Sequence, residues 1–434
     1  MGNKKYLNKF LKYATFSVLG MLGLSCYILA DTYFISKGLG ANGLAALNLA
    51  IPVYSFIHGS GLMLGMGGAI KYTIYQSNNK VEKANLIFTN TIFLAGIISL
   101  IFLLLGIFGS KQITTLLNAN KEIFLMTNTY LRVILLFAPA FIINEVLLCY
   151  VRNDGNPNLA MKAMIGGSLS NILLDYFFIF SLGLGIFGAV LATGLAPVIS
   201  MMILSWHWIR RNNQFHLIRT KISYKNFISI IILGFPTLIS EISSGIVIIV
   251  FNLILFKLEG NIGVAAYGVI ANISLVVIAI FTGISQGMQP LISQSYGYKD
   301  LKAVKRLRNY GLITVLILSS LIYLIIFYQA EPIVKIFNSK DNLQLQIIAV
   351  EGLKIYFTAI FWASINIIIA TYFTAIQKPI PAHLISLLRG LILIIPLAWL
   401  LSSCWGLTGV WLTFLITEFI VVLISISLMI INKD

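Results

Sequence analysis

The stretch GANGLAAL at residues 40–47 returns as GNIGVAAY at residues 260–267. The same offset pairs Gly67 with Gly287. A one-residue longer offset pairs the GIFG of 185–188 with the GLTG of 406–409, and Pro157 finds its partner in Pro379. The chain is therefore two similar halves of about 215 residues. Both halves are mostly apolar, which predicts two membrane-embedded bundles. Duplicated bundles of this kind are the usual plan of secondary transporters, with the substrate site between the repeats.

Composition supports a polytopic membrane protein. Hydrophobic residues make up 59% of the chain and charged ones 10%, with a mean hydropathy of +0.93. A helix needs about 20 apolar residues to cross some 30 Å of hydrocarbon. Twelve stretches qualify or nearly so: roughly 13–35, 45–72, 87–108, 130–151, 159–180, 186–208, 227–256, 265–293, 310–328, 352–376, 381–401 and 407–431. The expected fold class is an all-α membrane protein, with twelve transmembrane helices in two pseudo-symmetric six-helix lobes around a central cleft. The expected division is an N-terminal lobe over 1–208, a connector over 209–226 and a C-terminal lobe over 227–434. Six spans per half make the repeat parallel, about an axis near the membrane normal. The first span is too long for a cleaved signal and lacks a clear cleavage site, so no signal peptide is expected.

A net charge of +16 raises nucleic acid or a membrane surface as partners. Position decides between them. The side with the termini and even-to-odd loops holds 21 of the 30 cations, and the opposite side holds 8. That bias places both termini in the cytoplasm of a cell-membrane protein and argues against a nucleic-acid role. The connector (IRRNNQFHLIRTKISYKN, 209–226) is basic, and its tail could lie on the membrane as a short amphipathic segment, although a plain linker is the preferred reading. The longest loops on the other side, near 109–129 and 329–350, occupy equivalent places in the halves.

Several chemistries are excluded. Cys26, Cys149 and Cys404 fit neither a metal knuckle nor a CxxC pair. No GxxxxGK[ST] loop is present for ATP, and His58, His207, His216 and His383 lack metal-ligand spacing. With no nucleophile–base pair either, an enzyme is not expected, nor is a cofactor.

Charges inside spans are costly and point to function. Here they are Asp31, Glu145, Asp175, Glu241, Glu418 and Arg389. Asn171 and Asp175 share one face of span 5. Thr193 lies about as far after the Gly183–Gly185 turn as Asp175 lies before it. In a hairpin both sit at one depth, about 13 Å below the surface at 1.5 Å per residue. Asp31, in the outward-running span 1, falls in the same half. Four oxygen-bearing side chains thus converge, and such oxygens suit a hard cation or a proton. The bland alternative is that Asn171 and Thr193 merely brace neighbouring helices around buried neutral aspartates. The repeat argues against it, since the counterparts of the two aspartates fall near Phe251 and Pro396. A structural pair has no evident reason to be confined to one half, whereas an ion site does.

The segments ADTYFISKGLGANGLAALNLAIPV (30–53), VRNDGNPNLAMKAMIGGSLSNILLDYFFIF (151–180), GLGIFGAVLATGLAPVIS (183–200) and TGISQGMQPLISQSYGYKD (282–300) resemble the multidrug and toxic compound extrusion (MATE) family over essentially the whole chain. The resemblance implies two six-helix lobes around a cleft, and export of mostly cationic, amphipathic compounds in exchange for H⁺ or Na⁺. Similarity to the DinF-like branch implies an ion-coupling role for Asp31, Asn171, Asp175 and Thr193. A helix-7 glutamate used in another branch matches Glu241, but its helix-10 aspartate partner is missing, with Glu351 only at the mouth of span 10. Glu241 is therefore a candidate for ion or substrate contact. Glu418, beside Thr413 and Thr417, reads as hydrogen-bonded structure, as does Glu145, and Arg389 as the neutraliser of one of these acids. By resemblance, spans 1, 2, 7 and 8 border the cleft, so Tyr27, Met63, Met66, Gln286, Met288 and Gln289 are candidate substrate contacts, although packing explains each of them too.

The leading reading is a multidrug efflux antiporter, for which a monomer suffices. The alternative is a lipid-linked oligosaccharide flippase of the same superfamily, but gripping pyrophosphate calls for several cleft cations and only Arg389 is intramembrane. The ligand oxygens satisfy H⁺ or Na⁺. Two carboxylates close together in low dielectric do not both ionise cheaply, which leans towards H⁺. No metal beyond such a Na⁺ is expected.

Overall fold

The computed structural model describes residues 3–220, 223–338 and 342–432, and these contain helices and connecting segments but no strand. The N-terminal half comprises α1 (Asn3–Ser77), α2 (Val81–Leu104), α3 (Ser110–Leu116), α4 (Phe124–Leu136), α5 (Ala138–Asn153), α6 (Pro157–Tyr176), α7 (Gly185–Leu204) and the short α8 (Trp206–Ile209). The C-terminal half comprises α9 (Tyr224–Gly297), α10 (Leu301–Phe337), α11 (Leu343–Tyr356), α12 (Ile360–Ala375), α13 (Pro379–Leu387) and α14 (Ile394–Ile431). One-turn π segments join α2 to α3, extend α6, and join α13 to α14.

Nine apolar stretches among the described residues are long enough to cross a membrane when the bent pair α4–α5 is taken as one. Three of these are each two spans. A straight helix the length of α1 would measure about 110 Å, several bilayers thick. Yet Tyr27 and Tyr54, both in α1, place their hydroxyls 2.8 Å apart, so the helix turns back between them. The turn is at Gly40 (φ 66°), α9 turns at Gly260 (φ 58°), and α14 at Gly406 (φ 54°). Positive φ is cheap for glycine alone. Twelve crossings result, and their turns repeat: Gly40 matches Gly260, and Gly185 (φ 59°) matches Gly406.

Two sequence expectations need correction. Span 4 is not straight but bends by 48° between α4 and α5, because Pro139 sits in the first turn of α5 and cannot donate the hydrogen bond that would continue α4. The supposed loops near 109–129 and 329–350 are largely helical: α3 occupies the first, while α10 runs to Phe337 and α11 begins at Leu343 in the second. Lys221, Lys340 and Lys433, part of the charge asymmetry, lie outside the described residues.

The packing boundary of the lobes differs from the chain boundary. Phe10, at the start of span 1, is fully buried in the C-lobe core, and its counterpart Ile230, at the start of span 7, is fully buried in the N-lobe core. Helix association in lipid depends on close backbone approach rather than on a hydrophobic drive, which favours small residues. A Cβ on Gly67 would strike the Ile230 carbonyl, and one on Gly287 would lie 2.6 Å from the Tyr13 carbonyl. Gly234 seats Met63, and Gly283 seats Val18. Spans 2 and 7, and spans 8 and 1, are thus locked together at the end that carries the connector. Hydrogen bonds reinforce this closure: Arg152 to Gln286 (2.7 Å), Lys71 to Ser229 (2.7 Å), and reciprocal bonds between Asn153 and Gln289 (3.1 and 3.2 Å).

The connector is no surface amphipathic segment over its described part. It leaves α8 as an extended strap bound along α2. Asn85, Thr89 and Asn90 of α2 accept from the backbone N–H groups of His216, Ile218 and Ser223 at 3.0–3.1 Å. Phe215 is fully buried among Tyr72, Phe88, Tyr150, His207 and Trp208. Asp154 ties strap to lobe, accepting from Tyr72 (2.6 Å), His207 (2.8 Å) and the Gln214 N–H (2.9 Å). Replacing Phe215 with alanine should cost about 3 kcal/mol locally, more than about a hundredfold in the strap's opening equilibrium. Trypsin cleavage after Arg219 should accelerate accordingly; an unchanged rate would mean the plug contributes nothing to docking.

Candidate functional site: a buried carboxyl pair in the N-lobe

Asn171 and Asp175 are both fully buried on the inner face of α6, one turn apart. Thr193 faces them from α7, its hydroxyl 3.4 Å from the Asn171 side-chain nitrogen. Oriented to satisfy the network, the Asn171 amide donates to Asp175 Oδ2 at 3.0 Å and accepts from the Thr193 N–H at 3.2 Å. The fourth residue, Asp31, comes from the first half of α1 and is buried with its carboxyl beside that of Asp175. Two buried carboxyls side by side do not both ionise cheaply, and a shared proton relieves their repulsion. Tyr130 of α4 is buried beside the cluster, next to Thr193. One oxygen on each aspartate, Oδ1 in both, is buried without a hydrogen-bond partner. Buried oxygens of this kind are expensive unless a proton or cation satisfies them.

Local sequence explains the arrangement. Asn156 caps α6 by accepting from the Leu159 N–H at 3.2 Å, and Pro157 fills the first helical position. Pro197, inside α7, has no N–H to give the carbonyl one turn back, so the Thr193 carbonyl lacks its helical donor. The same logic explains His383, whose Nε2 lies 2.6 Å from the Ile232 carbonyl that Pro236 leaves open in α9.

A polar chain leads from the carboxyl pair towards the lobe interface. Tyr27 stands one turn before Asp31 and bonds Tyr54, whose ring stacks on His58 at 5.7 Å. His58 Nδ1 lies 3.8 Å from Glu145 Oε1. Glu241 reaches the same stretch of span 2 from the other lobe, since a Cβ on Gly59 would be 3.1 Å from its Cβ. Tyr54 and Tyr130 carry no sequence-level signal, because one more aromatic in an apolar helix is indistinguishable from packing.

The other candidates lie elsewhere. Met63 and Met66 are buried in the N-lobe core and Met288 in the C-lobe core. Gln286 and Gln289 make the lobe-to-lobe bonds at the connector end. Arg152 and Lys71 are buried at the same end, donating to Gln286 and Ser229. In the C-lobe, Arg389 donates to Glu418 Oε1 through Nε (3.0 Å) and Nη2 (2.7 Å), Asn366 donates to Oε2 (2.7 Å), and Ser425 donates to Asn366 (2.9 Å). Glu351 is exposed, more than two turns into α11.

Twelve spans in two repeated lobes, with a buried aspartate pair in one of them, have the plan of a two-lobe membrane transporter. A family model described as MatE matches residues 17–177 and 224–400, one match in each half. The chain therefore belongs to the MATE family of efflux transporters. It is 26% identical to the multidrug export protein MepA of Staphylococcus saprophyticus over 96% of this chain and 92% of that protein. It is 25% identical to MepA of Staphylococcus aureus strain MRSA252 over 96% and 92%. Among solved structures, the fold matches an outward-facing multidrug resistance MATE transporter of the MOP superfamily with a TM-score of 0.92, 22% identity and coverage of 98% and 95%. It matches a mutant of the Vibrio cholerae MATE transporter VcmN with a TM-score of 0.90, 21% identity and coverage of 99% and 98%.

Proposed function

We propose that the chain is a multidrug efflux antiporter that exports amphipathic, cationic small molecules in exchange for H⁺. It would work as a monomer in the cell membrane, with both termini cytoplasmic. The observation that carries the reading is the buried Asp31–Asp175 carboxyl pair, whose Oδ1 atoms have no hydrogen-bond partner. A proton satisfies one carboxyl by covalent attachment and the other through the shared hydrogen bond. A Na⁺ ion would instead need both acids ionised in contact, against their mutual repulsion. The flippase reading loses support because Arg389 is engaged by Glu418, and Lys71 and Arg152 by the lobe-to-lobe bonds.

Coupling follows from differential affinity. A ligand shifts a two-state equilibrium only as far as it binds one state better than the other. The lobes are locked at the connector end, so the arrangement accepts protons from, and releases substrate to, the opposite side. Protonation of Asp31 and Asp175 would favour the conformation in which substrate has left. The test is ethidium transport by proteoliposomes under an imposed pH gradient without sodium. Uptake that collapses with an uncoupler and is indifferent to ATP is expected. Transport that waits for a sodium gradient would reverse the ion assignment, and movement of lipid-linked sugars in place of ethidium would return the flippase reading.

A further inference from the structure

The N-lobe carries a cationic cleft at the connector end, where α6 begins and α7 runs into α8. It measures about 180 Å³, far more than the about 15 Å³ that one water requires. Its walls include Asn156, Asn158, Lys162, Trp206, Arg210 and Asn212, and no lining residue is acidic. Both cations are available. Lys162 is exposed and has no hydrogen-bond or ion-pair partner among the described residues. Arg210 stacks its guanidinium on the Trp206 ring at 5.1 Å, which orients the plane and leaves its N–H groups without an acceptor among the described residues. Asp154, the acid nearest in sequence to the lining, offers no counter-charge. Its side chain is 1% exposed, and its carboxylate already accepts from Tyr72, His207 and the Gln214 N–H.

The cleft lies where protein meets lipid. Ser205 keeps helical angles between α7 and α8, so Met202, Trp206 and Ile209 fall on one stripe. All three are exposed, and tryptophan favours the headgroup layer of a bilayer. The repeat points the same way from different residues. The register of Pro157 with Pro379 sets Asn158 and Lys162 opposite Ile380 and Leu384, two exposed apolar residues of α13. Positions that meet lipid in the C-lobe are thus polar and cationic in the N-lobe. A general excess of positive charge on one side of the membrane explains why cations stand at this end. It does not explain why two of them converge from separate helices on a single cleft.

We propose that this cleft binds the headgroup of phosphatidylglycerol, with Arg210 and Lys162 on the phosphate, Asn158 and Asn212 on the glycerol hydroxyls, and an acyl chain descending along Met202. A guanidinium preoriented by stacking and a free ammonium suit phosphate oxygens. Basic pockets between helix ends at the membrane surface are where anionic headgroups are recognised. The proposal requires only that the chain spans a membrane, and is independent of the coupling ion and of the exported compound.

The test is native mass spectrometry of the full-length protein released from nanodiscs of equal phosphatidylglycerol and phosphatidylcholine. Wild type is expected to retain one more phosphatidylglycerol than Lys162→Ala/Arg210→Ala. Each single substitution should lower the affinity about fivefold, and the pair about 25-fold, from the usual contribution of one cation near an anionic surface. Lys83 is an exposed cation at the same end but outside the cleft, so Lys83→Ala should leave retention unchanged. Thermal unfolding in detergent verifies the fold of each variant; if the double variant does not fold, Lys162→Gln alone must still show the fivefold loss. Equal retention by wild type and the double variant overturns the proposal. So does an equal loss in Lys83→Ala, which would assign retention to diffuse surface charge. Binding of inorganic phosphate that depends on Lys162 and Arg210, with no lipid retained, also overturns it and makes the ligand a free anion.

Discussion

Replacing Asp175 with asparagine is expected to reduce gradient-driven export by about a hundredfold or more while leaving the protein folded. The expectation follows from the pairing of its buried carboxyl with that of Asp31. An asparagine keeps the shape and can donate to Asp31, but it has no proton to take up or release. With no differential affinity for the coupling ion, the gradient cannot bias the lobe equilibrium, and a shift from mostly one state to mostly the other needs a large differential. Stability should hold or rise, because a neutral amide is cheaper in the bilayer than an acid. Asp31→Asn should behave alike, and the double variant should be no worse than either single one, since the two act as one proton-sharing unit. Transport by both single variants at the wild-type rate, in correctly inserted protein, would remove the coupling role from this site. A folded variant that still binds ethidium but does not move it would localise the defect to coupling.

Arg389→Leu is the substitution expected to damage the fold most. Glu418 is almost wholly buried and has Arg389 as its ion-pair partner. Removing the guanidinium strands a carboxylate whose remaining support is the Asn366 amide. Breaking a buried pair from one side costs about 3–5 kcal/mol, whereas replacing both members with apolar residues is often near neutral. Thermal unfolding in detergent should therefore show a large loss for Arg389→Leu and recovery in Arg389→Leu/Glu418→Leu. Transport should recover with stability, because this network sits in the lobe that lacks the aspartates. A double variant that is stable yet inactive would show instead that Arg389 and Glu418 take part in transport.

The residues themselves announced the class of fold. Apolar stretches of span length leave a chain no alternative to helices, because unpaired backbone groups cannot be left in lipid. The repeated glycines were legible for the same kind of reason: Gly40 and Gly260 stand where the backbone takes positive φ between two spans, and few other residues tolerate that. Asp31, Asn171, Asp175 and Thr193 could be brought together on paper since helical rise and a hairpin turn set depth almost by arithmetic. Arg389 could be expected to have an acid, though not which one.

Tertiary structure alone decided what depends on contact between distant segments. Span 4 bends where Pro139 meets the end of α4, and an X-Pro step in an apolar run does not say by how much. Phe215 and Asp154 look like ordinary linker and loop residues until the strap lies along α2. Arg152, Lys71, Gln286 and Gln289 read as surface charge or cleft polarity, but they hold the lobes together at the connector end. Composition and periodicity determine what is cheap for each segment in lipid, so they determined the spans and the buried acids. Which helix faces which, and which groove is filled, depends on the mutual fit of surfaces far apart in the chain, and local sequence does not carry that fit.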